Sequence, residues 1–287
     1  MRAWRAVLLW ISALSAGSGC NLVFGLDAPA RDDGGPVDAM ELDAPLGRFD
    51  DPRPVTATPD VIENDAILTA DETEVIYALG TTTVPYDIVR ASVTGGEWGP
   101  PETIRTLSTS VIEGFVRFGR GDTTLYFASD RPGGPGFLDI YRSTRNDRAS
   151  AWTTPEVLDK LSSAGNDGTT APCAGDTRFV FTSDRDGEQA LYEYDAQRAE
   201  APTMFSVPLE QPRSPFLTED CLSLYVTGGA QGDLYVLRRD AIEAPWTSPE
   251  PLAELNTADA SESDVWLSPS GRHILFSRDG DIYEAFR

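Results

Sequence analysis

Four acidic side chains share one place in a repeated unit of this chain. When the sequence is aligned on Thr69, Gly119, Cys173, Thr218 and Ser268, the residue six positions earlier is Glu63, Glu113, Asp167, Pro212 and Glu262. Each alignment point closes a short apolar segment, so the acids fall at the start of the strand expected to lie innermost in its unit. Carboxylates gathered at one end of a channel repel one another, and burial raises the pKa of each unless a cation or an arginine neutralises it. Three arrangements meet that demand: a cation with oxygen ligands such as calcium, the basic end of a peptide, or local bonds that shape a turn or strand start. Asp65 and Asp264 lie two residues beyond two of these acids, on the same face if the strand alternates strictly. A channel pair of carboxylates is also what a glycosidase- or lyase-like enzyme would use as acid and base. Catalysis, however, requires residues unique to one or two units, whereas these acids recur.

Other reactive side chains are few. His273 is the only histidine, and it stands in an apolar run at the position that Arg178 occupies in another unit, as a surface or inter-strand residue would. A Ser-His-Asp hydrolase would have to use it, and no Gly-x-Ser-x-Gly segment accompanies it. Of the cysteines, Cys20 ends an apolar leader, which leaves Cys173 and Cys221 as a possible disulfide pair; no Cys-x-x-Cys or Cys/His cluster points to structural zinc. The formal net charge is −23 and Lys160 is the only lysine, so nucleic-acid phosphates and anionic lipid surfaces are poor partners.

The elements that position these residues are repeats. Aromatic-x-x-Pro occurs at Phe49, Trp98, Trp152, Phe205 and Trp246, at intervals of 41 to 54 residues. Their shared register predicts that all five rings pack between neighbouring units. Alternating runs of the type TTLYFASD (123–130), TRFVFTSD (177–184) and RHILFSRD (272–279) predict half-buried strands. Each is followed by a shorter segment such as DIYRS (139–143) or DLYVL (233–237). Four strands in a unit of about 48 residues is the rhythm of a propeller blade. The expected fold is all-β: one five-bladed β-propeller of four-stranded antiparallel blades over residues 49–287. Segment FDDPRPV (49–55) lacks a unit of its own, and the last unit lacks a fourth strand, so residues 49–55 are expected to complete the last blade and close the ring. In the Ser-Asp-Arg turns at 129–131 and 183–185 the aspartate is expected to turn the chain and the arginine to pair nearby.

The segments LYFASDRPGG (125–134), FVFTSDRDG (179–187) and SPSGRHILFSRDG (268–280) resemble the PD40 repeat, a WD40-like unit known from the TolB propeller and related periplasmic proteins. The resemblance implies the architecture and is nearly silent on activity.

Residues 1–20, MRAWRAVLLWISALSAGSGC, have a basic start, a short apolar stretch and small residues before Cys20. They resemble a lipoprotein signal peptide, with Cys20 as the lipidated residue and Gly17 where leucine is usual. Residues 21–48, rich in Asp, Pro, Ala and Gly, are expected to form a disordered acidic tether. Asn21-Leu22 after the cysteine resembles a signal for the outer membrane. The sequence thus points to a monomeric, lipid-anchored envelope module that binds a protein or peptide, with a carbohydrate-active enzyme as the alternative.

Overall fold

The computed structural model describes residues 47–198 and 200–287. Cys20, the leader and nearly all of the expected tether lie outside the described residues. Strand β1 is Arg53–Pro54. The first blade follows with β2 (Ile62–Leu68), β3 (Glu74–Gly80), β4 (Asp87–Thr94) and an outer strand split into β5 (Glu97–Trp98) and β6 (Glu102–Thr103). Blade 2 holds β7 (Glu113–Phe118), β8 (Thr124–Ser129), β9 (Asp139–Thr144) and β10 (Glu156–Val157). Blade 3 holds β11 (Asp167–Cys173), β12 (Arg178–Ser183), β13 (Ala190–Asp195) and β14 (Thr203–Phe205). Blade 4 holds β15 (Arg213–Leu217), β16 (Ser223–Gly228), β17 (Asp233–Arg238) and β18 (Glu250–Pro251). Blade 5 holds β19 (Glu262–Leu267), β20 (His273–Arg278) and β21 (Asp281–Phe286), and its outer strand is β1. Inner strands β2, β7, β11, β15 and β19 neighbour one another in turn, and β19 lies against β2. This is the expected five-bladed propeller, antiparallel throughout.

The ring closes through β1. Arg53 pairs with Glu284 and Pro54 with Tyr283. Asp50 N–H donates to Phe286 O at 2.8 Å, and Phe286 N–H donates to Asp50 Oδ1 at 2.7 Å. Phe49 is buried against Tyr225, Leu252 and Ile274, with the Arg287 guanidinium 4.2 Å over its ring.

The second strand of each blade is more buried than a half-buried strand. In β8 every residue from Leu125 to Ser129 is buried, and in β12 every residue from Phe179 to Ser183. A blade inside a ring has a neighbour on each face, so both sets of alternating side chains are covered.

Cys173, which ends β11, and Cys221, in the turn before β16, are joined with Cα atoms 5.5 Å apart. The bond links blades 3 and 4 across a separation of 48 residues, for which loss of unfolded-chain entropy contributes about 4 kcal/mol.

His273 is buried rather than at the surface, and it ties the seam between blades 5 and 1. Its Nδ1 lies 3.0 Å from Glu72 Oε2 in the first turn of blade 1, and its Nε2 lies 3.0 Å from Glu284 Oε2 on β21. Glu284 also accepts from Arg53 Nε of β1 at 2.8 Å. Burial opposes charge on the imidazole, but the Glu284 and Glu72 carboxylates outweigh it and raise the His273 pKa. A raised folded-state pKa favours the protonated fold, so this stabilisation is complete below the unfolded value of about 6.5 and declines as pH rises through the folded pKa. Unfolding free energy measured by urea titration from neutral to mildly alkaline pH is therefore expected to fall in the wild type. In His273→Gln that decline should flatten, and an unchanged slope would remove the imidazole from the seam's energetics.

Candidate functional site

The recurring acids sit where the inner strands begin, and those of blades 2, 3 and 5 are answered by an arginine. Glu113 accepts from Thr109 N at 3.0 Å, from the Thr109 and Ser129 hydroxyls, and from Arg131 Nη2 at 3.2 Å. Asp167 accepts from Ser163 N at 2.6 Å, from the Ser163 and Ser183 hydroxyls, and from Arg185 Nη2 at 2.8 Å. Glu262 accepts from Thr257 Oγ1 at 2.8 Å and from Arg278 Nε at 2.9 Å. In blade 5 the arginine occupies the register of Ser129, because Arg278 pairs with Glu262 as Ser129 pairs with Glu113. The ion pair thus survives a change of position in the three blades that carry it.

Each of these arginines is also held by two rings and a carbonyl. Arg131 lies over Phe127 and Tyr141, Arg185 over Phe181 and Tyr192, and Arg278 over Phe276 and Tyr283, at 4.5 to 5.3 Å. Their Nη2 atoms donate to the carbonyls of Leu107, Leu161 and Leu255. The neighbouring aspartate ties back to the loop before the inner strand: Asp130, Asp184 and Asp279 accept from the backbone N–H of Ile112, Asn166 and Ser261, each with a sequence separation of 18.

Glu63 differs, because blade 1 has Leu79-Gly80-Thr81 in place of Ser-Asp-Arg. Burial raises its pKa against the pull of the Thr56 and Thr58 hydroxyls, and its Oε2 is buried without a partner. Burial likewise raises Glu113 and Glu262 against their hydroxyl and arginine partners. Among the described residues no group of three or more His, Cys, Asp or Glu side chains is arranged to hold a metal ion. In blades 2, 3 and 5 an arginine of the same blade meets the charge of the acid.

What brings unlike groups together is a β-bulge. The register shifts in all five inner strands, between Asn64 and Ile67, Gly114 and Arg117, Asp167 and Thr170, Arg213 and Phe216, and Ser263 and Trp266. At its centre Asp65, Phe115, Ser214 and Asp264 take left-handed backbone angles, with φ of 60°, 58°, 49° and 57°. A bulge breaks strict alternation and re-aims a side chain. Glu63 therefore faces the Thr56 and Thr58 loop, while Asp65 turns to blade 2, accepting from Phe115 N at 2.8 Å. Asp264 of blade 5 lies beside Asp65, and Asp65 Oδ1 lies 3.7 Å from Arg117 Nη1. Burial and the adjacent Asp264 push the Asp65 carboxyl well above the usual range. Asp65 Oδ1, Asp264 Oδ1 and Arg117 Nε and Nη2 are buried without hydrogen-bond partners. This cluster, unlike the recurring acids, exists at one place in the ring.

The loops between second and third strands surround the same end of the channel. They carry Val84 in blade 1 and Phe137 in blade 2, which are 58% and 64% exposed. Among the described residues these and Met204 are the exposed large hydrophobic side chains. Tyr86 follows Val84 and is pushed up to about 12 by burial and by the Asp65 and Asp264 charges, which places that loop beside the cluster. No sequence signal pointed to Val84 or Phe137, since single apolar residues in turns have no period.

The fold places the chain among β-propellers, and the solved structures similar to it include two of TolB type. It matches TolB from Acinetobacter baumannii with 17% identity and a TM-score of 0.51, covering 81% of this chain and 56% of that one. It matches a putative TolB from Agrobacterium tumefaciens with 16% identity and a TM-score of 0.50, covering 78% of this chain and 72% of that one. The chain thus spans little more than half of the Acinetobacter protein, and the likeness is one of fold. No protein-family model and no curated protein matches the chain.

Proposed function

We propose that the chain is an exported lipoprotein, anchored through Cys20 at the outer membrane, whose propeller binds a protein or peptide partner of the cell envelope. The observation that carries the binding role is the pair Val84 and Phe137, exposed on adjacent blades at the channel end where the inner strands begin. Apolar side chains this exposed gain from a partner that covers them. The TolB-like fold and the leader ending at Cys20 support an envelope setting. Among the described residues no helix is long and apolar enough to cross a membrane. The alternative of a carbohydrate-active enzyme asks for two carboxyl groups about 5 Å or more apart with a sugar between them. Asp65 instead lies against Arg117, and Glu113, Asp167 and Glu262 are tied to arginines.

In-cell crosslinking tests the binding role. Wild type is expected to give a discrete crosslinked partner that the double variant Val84→Ser, Phe137→Ser loses. Melting should be unchanged, because exposed substitutions usually shift stability by less than about 0.5 kcal/mol. Cys20→Ala should move the protein from the membrane fraction to the soluble periplasm. A partner retained by the double variant would sink the binding face, and identical fractionation would sink the anchor.

A further inference from the structure

Four blades place a ring from the outer strand beside the neighbouring blade. Phe49, Trp98, Trp152 and Trp246 each stand four residues before Arg53, Glu102, Glu156 and Glu250, which pair with the third strand of their blades. In three of them a guanidinium covers the ring: Arg145 lies 4.5 Å over Trp152, Arg239 4.1 Å over Trp246 and Arg287 4.2 Å over Phe49. Each arginine donates to a turn carbonyl of its own blade, of Asp122, Cys221 and Gly271. Arg145 and Arg239 also cross to the preceding blade and pair with Glu74 and Glu193. Ring and guanidinium together plug the gap between blades.

Blade 3 has neither part. Its outer strand pairs Thr203 with Glu193. Four residues before Thr203 the sequence has an alanine, Ala199, and Ala196 follows β13 where Arg145 and Arg239 follow β9 and β17. Phe205 does not share the register of the other motif aromatics; it pairs with Leu191 and packs among Val180, Leu217 and Leu224, toward blade 4. Between blades 2 and 3 lies instead a cavity of about 460 Å³. Tyr126, Phe179, Tyr194 and Ala196 line it, with Tyr126 and Phe179 edge to face at 5.5 Å. Glu156, Asp159 and Asp176 border it with Arg142 and Lys160, and Arg142 is already paired with Glu156.

We propose that this cavity binds an aromatic side chain, an indole foremost, carried next to a basic residue on a partner polypeptide. The chain's own repeat defines the occupant: at equivalent gaps the space takes Trp152 under Arg145 and Trp246 under Arg239. With Glu156 paired to Arg142, the border carboxylates Asp159 and Asp176 still exceed Lys160, which favours the basic neighbour, as does the net charge of −23. An indole over aromatic walls gains apolar burial and edge-to-face contact, and a guanidinium beside it adds cation–π attraction. The site uses none of the residues of the channel-end surface, so the two stand or fall separately.

The test titrates the purified protein with N-acetyl-Trp-Arg-amide, using calorimetry for affinity and saturation-transfer NMR for the bound protons. Saturable binding with transfer to the indole is expected, and N-acetyl-Leu-Arg-amide should bind about tenfold or more weakly. Ala196→Arg, which restores half of the plug, should weaken the Trp-Arg probe by a similar factor while the melting temperature holds or rises. Ala196→Leu fills the same space should the arginine disturb folding. Equal affinity for the two probes, or full affinity in a well-folded filled variant, would overturn the proposal.

Discussion

Deletion of residues 49–55 is expected to destroy cooperative folding at physiological temperature, whereas deletion of 27–46 is expected to leave the melting curve in place. The first deletion removes β1, the buried Phe49 ring and Arg53, which pairs with Glu284 at 2.8 Å. It leaves β21 as an open edge beside the gap between blades 4 and 5. Phe49→Ala alone should cost about 3–5 kcal/mol, the usual range for removing a buried phenylalanine, and the strand's ladder is lost in addition. An exposed edge also offers unpaired N–H and C=O groups to another chain, so the deleted protein should aggregate on warming. Calorimetry and light scattering on the two deletions decide the matter. Equal behaviour would show that closure contributes nothing.

Arg185→Ala should cost about 3–5 kcal/mol at neutral pH, because it strands a buried acid. Asp167 is fully buried and Arg185 is 15% exposed, so little solvent screens the pair. The loss also takes the guanidinium from over Phe181 and Tyr192, with its bond to Leu161 O. The double variant Asp167→Asn, Arg185→Met should cost distinctly less than the single one, since it leaves no uncompensated charge. Urea denaturation of wild type, both single variants and the double variant gives the coupling. If Arg185→Ala costs under about 1 kcal/mol, the acids are not neutralised by these arginines, and a bound cation returns as the explanation.

Much of the architecture was legible in the chain because it is written in near neighbours. Alternation in LYFASD and FVFTSD, the Asp and Gly turns and their repetition are local signals, and copying them five times fixed both blade number and the closing role of residues 49–55. In the Ser-Asp-Arg turns the nearby pairing of the arginine was legible for the same reason, whereas the aspartate reaches a backbone N–H at a separation of 18. The site was not legible in this way. Strict alternation put Asp65 on the face of Glu63, and only the bulge, held by contacts between strands, turned it to Phe115 N–H, 50 positions away. His273 does meet Glu284 on the adjacent strand, as an inter-strand residue would, but its burial against Glu72 was hidden because that partner lies 201 positions distant. Phe205-x-x-Pro208 imitated the repeated motif while standing at another register, which hid the missing plug of blade 3. Short-range order determined the strands and their count. Which side chains meet across blades depended on bulge, register and ring closure, and these balance against the whole tertiary structure and not against neighbours in sequence.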